Sequence, residues 1–141
     1  MDRKDRVHTA RTVMAYSQQV REIAPHGRQP KFFYTIGNAS HGLPELLLIG
    51  NASTQIGYMI MEIFGGMMRE RGRALPEGLI DINWTFPFKI RKAGLLARLR
   101  YTVQAGEFIG SDDYEVLQIM FCDKAGRYPD EKGCELKVPM P

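Results

Sequence analysis

The chain has 141 residues, of which 44% are hydrophobic and 25% are charged, as is typical of one globular domain with a single core. Its net charge of +3 is too small to indicate nucleic-acid binding, and no apolar run approaches the roughly 20 residues of a membrane-spanning helix. The charged residues 1–6 precede no apolar stretch, so we expect no secretory signal and a cytoplasmic location. Cys122 and Cys134 are expected to be free thiols, with a bridge between them as the alternative.

Residues 2–27 predict a helix, because apolar side chains recur there at spacings of three and four. Those side chains are Val13, Tyr16, Val20 and Ile23. Pro25 and Gly27 end the pattern, since proline and glycine interrupt helices. The sequence therefore predicts an N-terminal helical arm over residues 1–28 and a single domain over residues 29–141.

Two strands are predicted early in that domain. Residues 32–37 alternate aromatic and β-branched side chains, and residues 45–49 carry a nearly continuous apolar run. The connection between them is shorter than the dozen or so residues that a parallel crossover needs, so we expect an antiparallel pair. The repeated Ile-Gly-Asn-Ala-Ser of residues 36–40 and 49–53 would then lie at opposite ends of the sheet and could not form one phosphate site.

Residues 54–71 give the clearest helical pattern, with one apolar face that includes several methionines. Ser53 or Thr54 can cap the first amides, and Gly72 can end the helix. Gly57 and Gly65 each lower helix stability by about 1 kcal/mol relative to alanine, so another backbone is expected to approach closely there.

The second half of the chain predicts shorter elements. Residues 79–84 and 86–91 are interpreted as extended, with Pro87 marking an edge or a break. Residues 95–104 fit both a helix and an alternating strand, and we favour the helix. A polar turn region at residues 106–113 and a strong strand at residues 114–122 follow.

The composition of residues 123–126 is typical of a type I turn with a left-handed glycine, and it predicts a hairpin. An irregular tail comes last, because Pro139 and Pro141 prevent a regular strand. Together the elements predict an α+β fold: a single domain whose mostly antiparallel sheet of four or five strands packs against two or three helices.

Three spaced motifs, beginning at residue 31 and covering the rest of the chain, resemble the domain of unknown function 4262 family of bacterial and phage proteins. They are Tyr34-Thr35-x-Gly37, Pro44-Glu45-Leu-Leu-Leu-Ile-Gly50 and Gln118-x-x-x-x-Asp123-x-x-Gly126-x-x-Pro129. The chain departs from the family pattern at Asn38, where leucine is frequent, and at Asp130, where tryptophan is frequent. The resemblance implies a stand-alone intracellular domain, often carried by phages or other mobile elements, and implies no activity, substrate or cofactor.

The opening strands carry the first candidate site residues, Tyr34, Thr35, His41 and Glu45. His41 lies in a glycine-flanked loop and could be a general base or an anion ligand; the alternative is a surface histidine. Glu45 opens a buried strand and is interpreted either as a carboxylate paired with an arginine or as a group that orients a ligand.

Gln118 and Asp123 are the candidates from the last strand and its exit. Gln118 lies among apolar neighbours, so its amide must find hydrogen bonds on an adjacent strand or point into a pocket. Asp123 is either a turn residue that accepts backbone amides or a functional carboxylate.

A basic segment spans residues 82–105, which contain no acid. Its cations are Lys89, Arg91, Lys92, Arg98 and Arg100. It either contacts phosphates or an acidic partner, or pairs with the acidic residues that follow it in the same fold.

The sequence contains no metal-ligand spacing, nucleophile elbow, Walker loop or dinucleotide fingerprint, so we expect no metal and no cofactor. The favoured hypothesis is an intracellular binding module for a phosphorylated small molecule or a protein partner, such as a phage or mobile-element inhibitor of a host system. Its expected binding residues are Tyr34, Thr35, Glu45, Gln118, Asp123, Lys89, Arg91 and Arg98. The alternative is a small hydrolase or transferase that uses His41 and Glu45. A homodimer is also compatible with the apolar surface residues.

Overall fold

The computed structural model describes residues 1–141 as an α+β fold with one six-stranded mixed sheet and four helices. The predicted fold class is confirmed, with six strands in place of four or five and four helices in place of two or three. The elements are α1 (Arg3–Tyr16), β1 (Gln19–Ile23), β2 (Phe32–Ile36), β3 (Glu45–Ile49), α2 (Thr54–Arg71), β4 (Gly78–Ile80), β5 (Phe88–Lys92), α3 (Leu95–Arg100), α4 (Val103–Ile109) and β6 (Val116–Met120). A 3₁₀ helix, Asn38–His41, joins β2 to β3.

The strands follow the order β1-β2-β3-β6-β5-β4 across the sheet. The predicted antiparallel pairing of β2 with β3 is confirmed. Only β3 and β6 run parallel, and they lie side by side at the centre of the sheet. The 66 residues between β3 and β6 make this the pairing that joins the two halves of the chain.

The predicted helix over residues 2–27 is wrong beyond Tyr16. Ser17 takes a left-handed φ of 72° and ends α1, and the chain then turns into the edge strand β1. All five β1 residues pair with β2, so this part of the predicted arm belongs to the sheet. Because β1 is half-buried throughout, it lacks the clean alternation that marks a strand in sequence.

Apolar side chains cover both faces of the sheet. Phe33, Leu46, Leu48 and Ile119 pack under α2 on one face, together with Phe64 of that helix. The opposite face carries a second cluster beneath α3 and α4, with Tyr34, Leu47 and Val116 from the strands and Ala97 and Ala105 from the two helices. The predicted bounds of α2 are confirmed, with Ser53 as its N-cap and Gly72 as its C-cap.

The later elements correct three expectations. The helix favoured for residues 95–104 is confirmed as α3 and α4, but α4 continues to Ile109, into the predicted polar turn. The extended segment predicted at residues 79–84 is a strand only as far as Ile80. Gly126 does take the left-handed φ expected of the turn, at 80°, but no strand follows it, so the predicted hairpin is wrong.

No helix of the protein combines the length and the apolar character that crossing a bilayer requires.

Candidate functional site

Glu45 holds the 3₁₀ turn against the start of β3. The residue is only 1% exposed. Its carboxylate accepts hydrogen bonds from the backbone N–H groups of Gly37, Asn38 and Ala39, each at 3.1 Å. The Thr35 hydroxyl donates a fourth, at 2.9 Å. Two predicted site residues, Thr35 and Glu45, are therefore adjacent. The partners of Glu45 are a hydroxyl and main-chain amides, in place of the predicted arginine.

A buried polar network continues from this carboxylate toward α2. The Asn38 amide donates to Gln18 at 2.8 Å, and the Arg69 guanidinium donates to both Gln18 and Asn38 at 2.8 and 2.7 Å. Burial raises the pKa of Glu45 to about 7, although its hydrogen-bond donors favour the charged form. With four donors on its two oxygens, Glu45 acts as an internal brace for the turn.

His41 does not meet Glu45. The side chain of His41 is exposed on the 3₁₀ turn and shares no hydrogen bond with the carboxylate, whose oxygens point to the amides of the same turn. Neither residue lines the large cleft described below. The structure therefore does not join His41 and Glu45 as the acid and base that the alternative hydrolase or transferase hypothesis names.

Tyr34 and Gln118 flank Leu47 on neighbouring strands, but they bond to different partners and neither bonds Glu45. The Tyr34 hydroxyl donates to Gln104 of α4 at 3.2 Å, and burial raises the pKa of Tyr34 to about 12. The Gln118 carbonyl oxygen accepts from Arg91 on the neighbouring strand at 2.7 Å, while its amide donates to the Pro139 carbonyl at 2.9 Å. None of the three residues lines the cleft described below.

Asp123 folds the exit of β6. One carboxylate oxygen accepts from the N–H groups of Ala125 and Arg127, and the other from the N–H of Glu135, all at 2.9 Å. The donation from Glu135, followed by that from Arg127, lowers the pKa of Asp123 to about 2. The turn interpretation is confirmed, and Asp123 also anchors the start of the C-terminal tail.

The basic segment pairs mainly with groups of its own fold. Lys89 contacts Asp130 at 3.0 Å and Glu131 at 3.5 Å, and these contacts raise the pKa of Lys89. Lys92 pairs with Glu115 at 2.8 Å in the same way. Arg98 donates to the Tyr114 carbonyl at 2.8 Å. Internal pairing with the acidic residues is therefore confirmed for the two lysines.

A cleft lies elsewhere, at the carboxyl ends of the parallel strands. It has a volume of about 670 Å³, and its lining includes residues 49–53 at the end of β3 and residues 120–122 at the end of β6. Ligands of open α/β sheets bind at this position, because parallel strands leave a crevice beyond their carboxyl ends. The second copy of the Ile-Gly-Asn-Ala-Ser repeat lies here, and the first does not.

An aromatic wall forms one side of the cleft. Trp84 and Phe86 lie 5.4 Å apart between ring centres, and Phe121 meets Phe86 edge-on at 6.4 Å. The chain reaches this arrangement because the Asp81 carboxylate accepts the Asn83 N–H at 2.9 Å, and Asn83 takes a left-handed φ of 61°. That bend interrupts the extended chain and turns Trp84 toward the aromatic cluster.

Basic side chains form part of the rim, and no acid lines the cleft. The charge of Lys31 is neutralised by Glu22, whose carboxylate lies 2.8 Å from the Lys31 ammonium. The same ammonium donates to the Ala52 carbonyl at 2.8 Å. Lys137 donates to the Cys134 carbonyl at 3.1 Å. Arg28 is exposed at the tip of the β1–β2 hairpin and forms no hydrogen bond or ion pair within the chain. The cleft therefore keeps an excess of positive charge at Arg28 and Lys137.

This cleft was not predicted from the sequence, since its lining comes from six separate segments. One signal was present in the sequence: the Trp-Thr-Phe-Pro-Phe run of residues 84–88 places aromatic side chains where a loop would ordinarily be polar. The cysteines are free, as expected. Cys122 lines the cleft, and burial raises the pKa of its thiol.

Comparison with the curated proteins finds no match, and neither does comparison with the solved structures. One family model does match, over residues 12–135 of the 141. That span includes every strand of the sheet, the network around Glu45 and most of the cleft. The chain belongs to the family described as Domain of unknown function (DUF4262).

Proposed function

We propose that this protein is a binding module whose cleft takes a small molecule with a planar apolar part and an anionic group. The observation that carries the proposal is the composition of the cleft: three aromatic side chains and three cations, with no acid among its lining residues. A planar group would stack on Trp84 and Phe86, and an anionic group would face Arg28 and Lys137.

The dimensions of the cleft favour a small molecule over a protein partner. A volume of about 670 Å³ lies within the range of roughly 300–1,000 Å³ that small-molecule sites occupy. Aryl phosphates and mononucleotides combine the two required chemical features. They also fit the phosphorylated ligand expected from the sequence, although the residues that would bind it differ from those predicted.

Binding is expected to quench the fluorescence of Trp84, the only tryptophan in the chain. A titration would use nucleoside monophosphates, cyclic mononucleotides and phenyl phosphate, each compared with its counterpart that lacks the phosphate. Phosphorylated compounds should bind at least about tenfold more tightly, since ionic hydrogen bonds are about twice as strong as neutral ones. Added salt should weaken their binding.

Arg28→Ala is expected to weaken binding of the phosphorylated compounds by about tenfold, since it removes the unpaired cation of the rim. Arg11→Ala is the matched control, because Arg11 is an exposed arginine on α1, outside the cleft. If no compound of the panel changes the fluorescence of Trp84, the proposal is contradicted. So would equal weakening by the two substitutions, which would indicate only a general effect of net charge.

A further inference from the structure

The C-terminal tail forms one wall of the cleft. Residues 136–138 line the cavity, and the chain then crosses β6 and β5 toward Gly94. Three donors hold this segment, residues 136–141, which we call the strap. Gln118 donates to the Pro139 carbonyl at 2.9 Å, and the Arg91 guanidinium and the Gly94 N–H donate to the Pro141 carbonyl at 3.1 and 3.0 Å.

The chemistry of the strap matches the donors beneath it. Pro139 and Pro141 have no N–H groups, so at these positions the strap presents only acceptors and cannot pair as a strand. Arg91 and Gln118 are directly opposed on β5 and β6, and the Arg91 guanidinium also donates to the Gln118 carbonyl oxygen at 2.7 Å. This bond fixes the orientation of the Gln118 amide, so that its N–H points at Pro139.

We infer that Arg91 and Gln118 are positioning residues that hold the strap in place as a wall of the cleft, so that loss of either donor loosens this wall and makes the cleft lining more accessible. The identity of the ligand of this cleft rests on the proposed function; the positioning of the strap does not. Gln118 has both ends of its amide engaged by Arg91 and the strap, so it acts on the cleft through the strap.

Access to Cys122 measures the state of the strap without a ligand. The probe is N-ethylmaleimide, with labelling at each cysteine followed by mass spectrometry. Arg91→Met removes the side-chain donor to Pro141, and Gln118→Glu keeps the acceptor for Arg91 while removing the donor to Pro139. Each is expected to raise the labelling rate of Cys122 by about tenfold, the effect of losing one or two hydrogen bonds.

Two controls decide the interpretation. Lys92→Met alters the next residue on β5, whose ammonium pairs with Glu115 and does not touch the strap, so Cys122 should label at the wild-type rate. Cys134 is 3% exposed and outside the cleft, so it should stay unlabelled in every variant. Acceleration by Lys92→Met, equal acceleration at Cys134, or no acceleration in both strap variants would each overturn the inference. If none of the titrated compounds binds, only the proposed function is contradicted, because the labelling rates of Cys122 require no bound ligand.

Discussion

Glu45→Ala is expected to lower the free energy of unfolding by about 5 kcal/mol, since each buried donor left without an acceptor costs about 1–3 kcal/mol. The substitution leaves three backbone N–H groups of the 3₁₀ turn and the Thr35 hydroxyl without their acceptor. Whole-domain stabilities are about 5–15 kcal/mol, so a large part of the folded population should be lost. Urea unfolding followed by circular dichroism would measure the loss.

Glu45→Gln is the matched control, because it keeps the shape of the side chain and one acceptor oxygen. Its amide N–H groups would face backbone N–H groups, so we expect a smaller loss, of about 2 kcal/mol. If Glu45→Ala destabilises no more than an ordinary surface substitution, within about 0.5 kcal/mol, the bracing role of this carboxylate is wrong.

Comparison of the wild-type protein with the Glu45→Gln variant tests the titration of Glu45. Its pKa in the folded state is about 7, above the ordinary 4.5, so the folded state binds the proton more tightly. Stability from this group is fully present below pH 4.5 and is lost as the pH rises through about 7. The shift corresponds to about 3 kcal/mol. The wild-type protein should lose this stability between pH 4.5 and about 7, and the Glu45→Gln variant should not. The histidines titrate in both proteins, so their contribution cancels in the difference between the two free energies of unfolding.

The elements that were predicted correctly are those specified by local pattern. The α2 helix has a one-sided apolar face with a serine before it and a glycine after it, and its bounds matched the prediction. The pairing of β2 with β3 follows from a short connection, which sterically excludes a parallel crossover. In both cases the decisive pattern lies within about 20 consecutive residues.

The missed features depend on residues that are distant in sequence. The parallel pair β3 and β6 joins segments from opposite halves of the chain, and the cleft at its carboxyl end is lined by six segments. No periodicity records such proximity. Glu45 was identified as important, but its partners are backbone amides, and these depend on how residues 37–39 turn. Side-chain composition alone does not specify that turn.

Gly57→Ala is expected to destabilise the protein by about 2–3 kcal/mol, although alanine is the better helix former by about 1 kcal/mol. A Cβ at this position would lie 2.3 Å from the ring of Phe33, a fully buried side chain under α2. The close approach predicted at this glycine is real, but the approaching group is an aromatic ring, where a backbone was expected. Thermal unfolding would measure the effect.

Gly66→Ala in the same helix is the matched control. A Cβ there meets no atom within 4 Å, so only the helix preference acts, and we expect a gain of about 1 kcal/mol. The two substitutions should therefore shift stability in opposite directions, although each adds one methyl group to α2. Phe33→Leu combined with Gly57→Ala should lose less stability than the sum of the single effects, because the smaller side chain relieves the clash. Additive losses, or a stabilising Gly57→Ala, would show that Phe33 does not restrict residue 57.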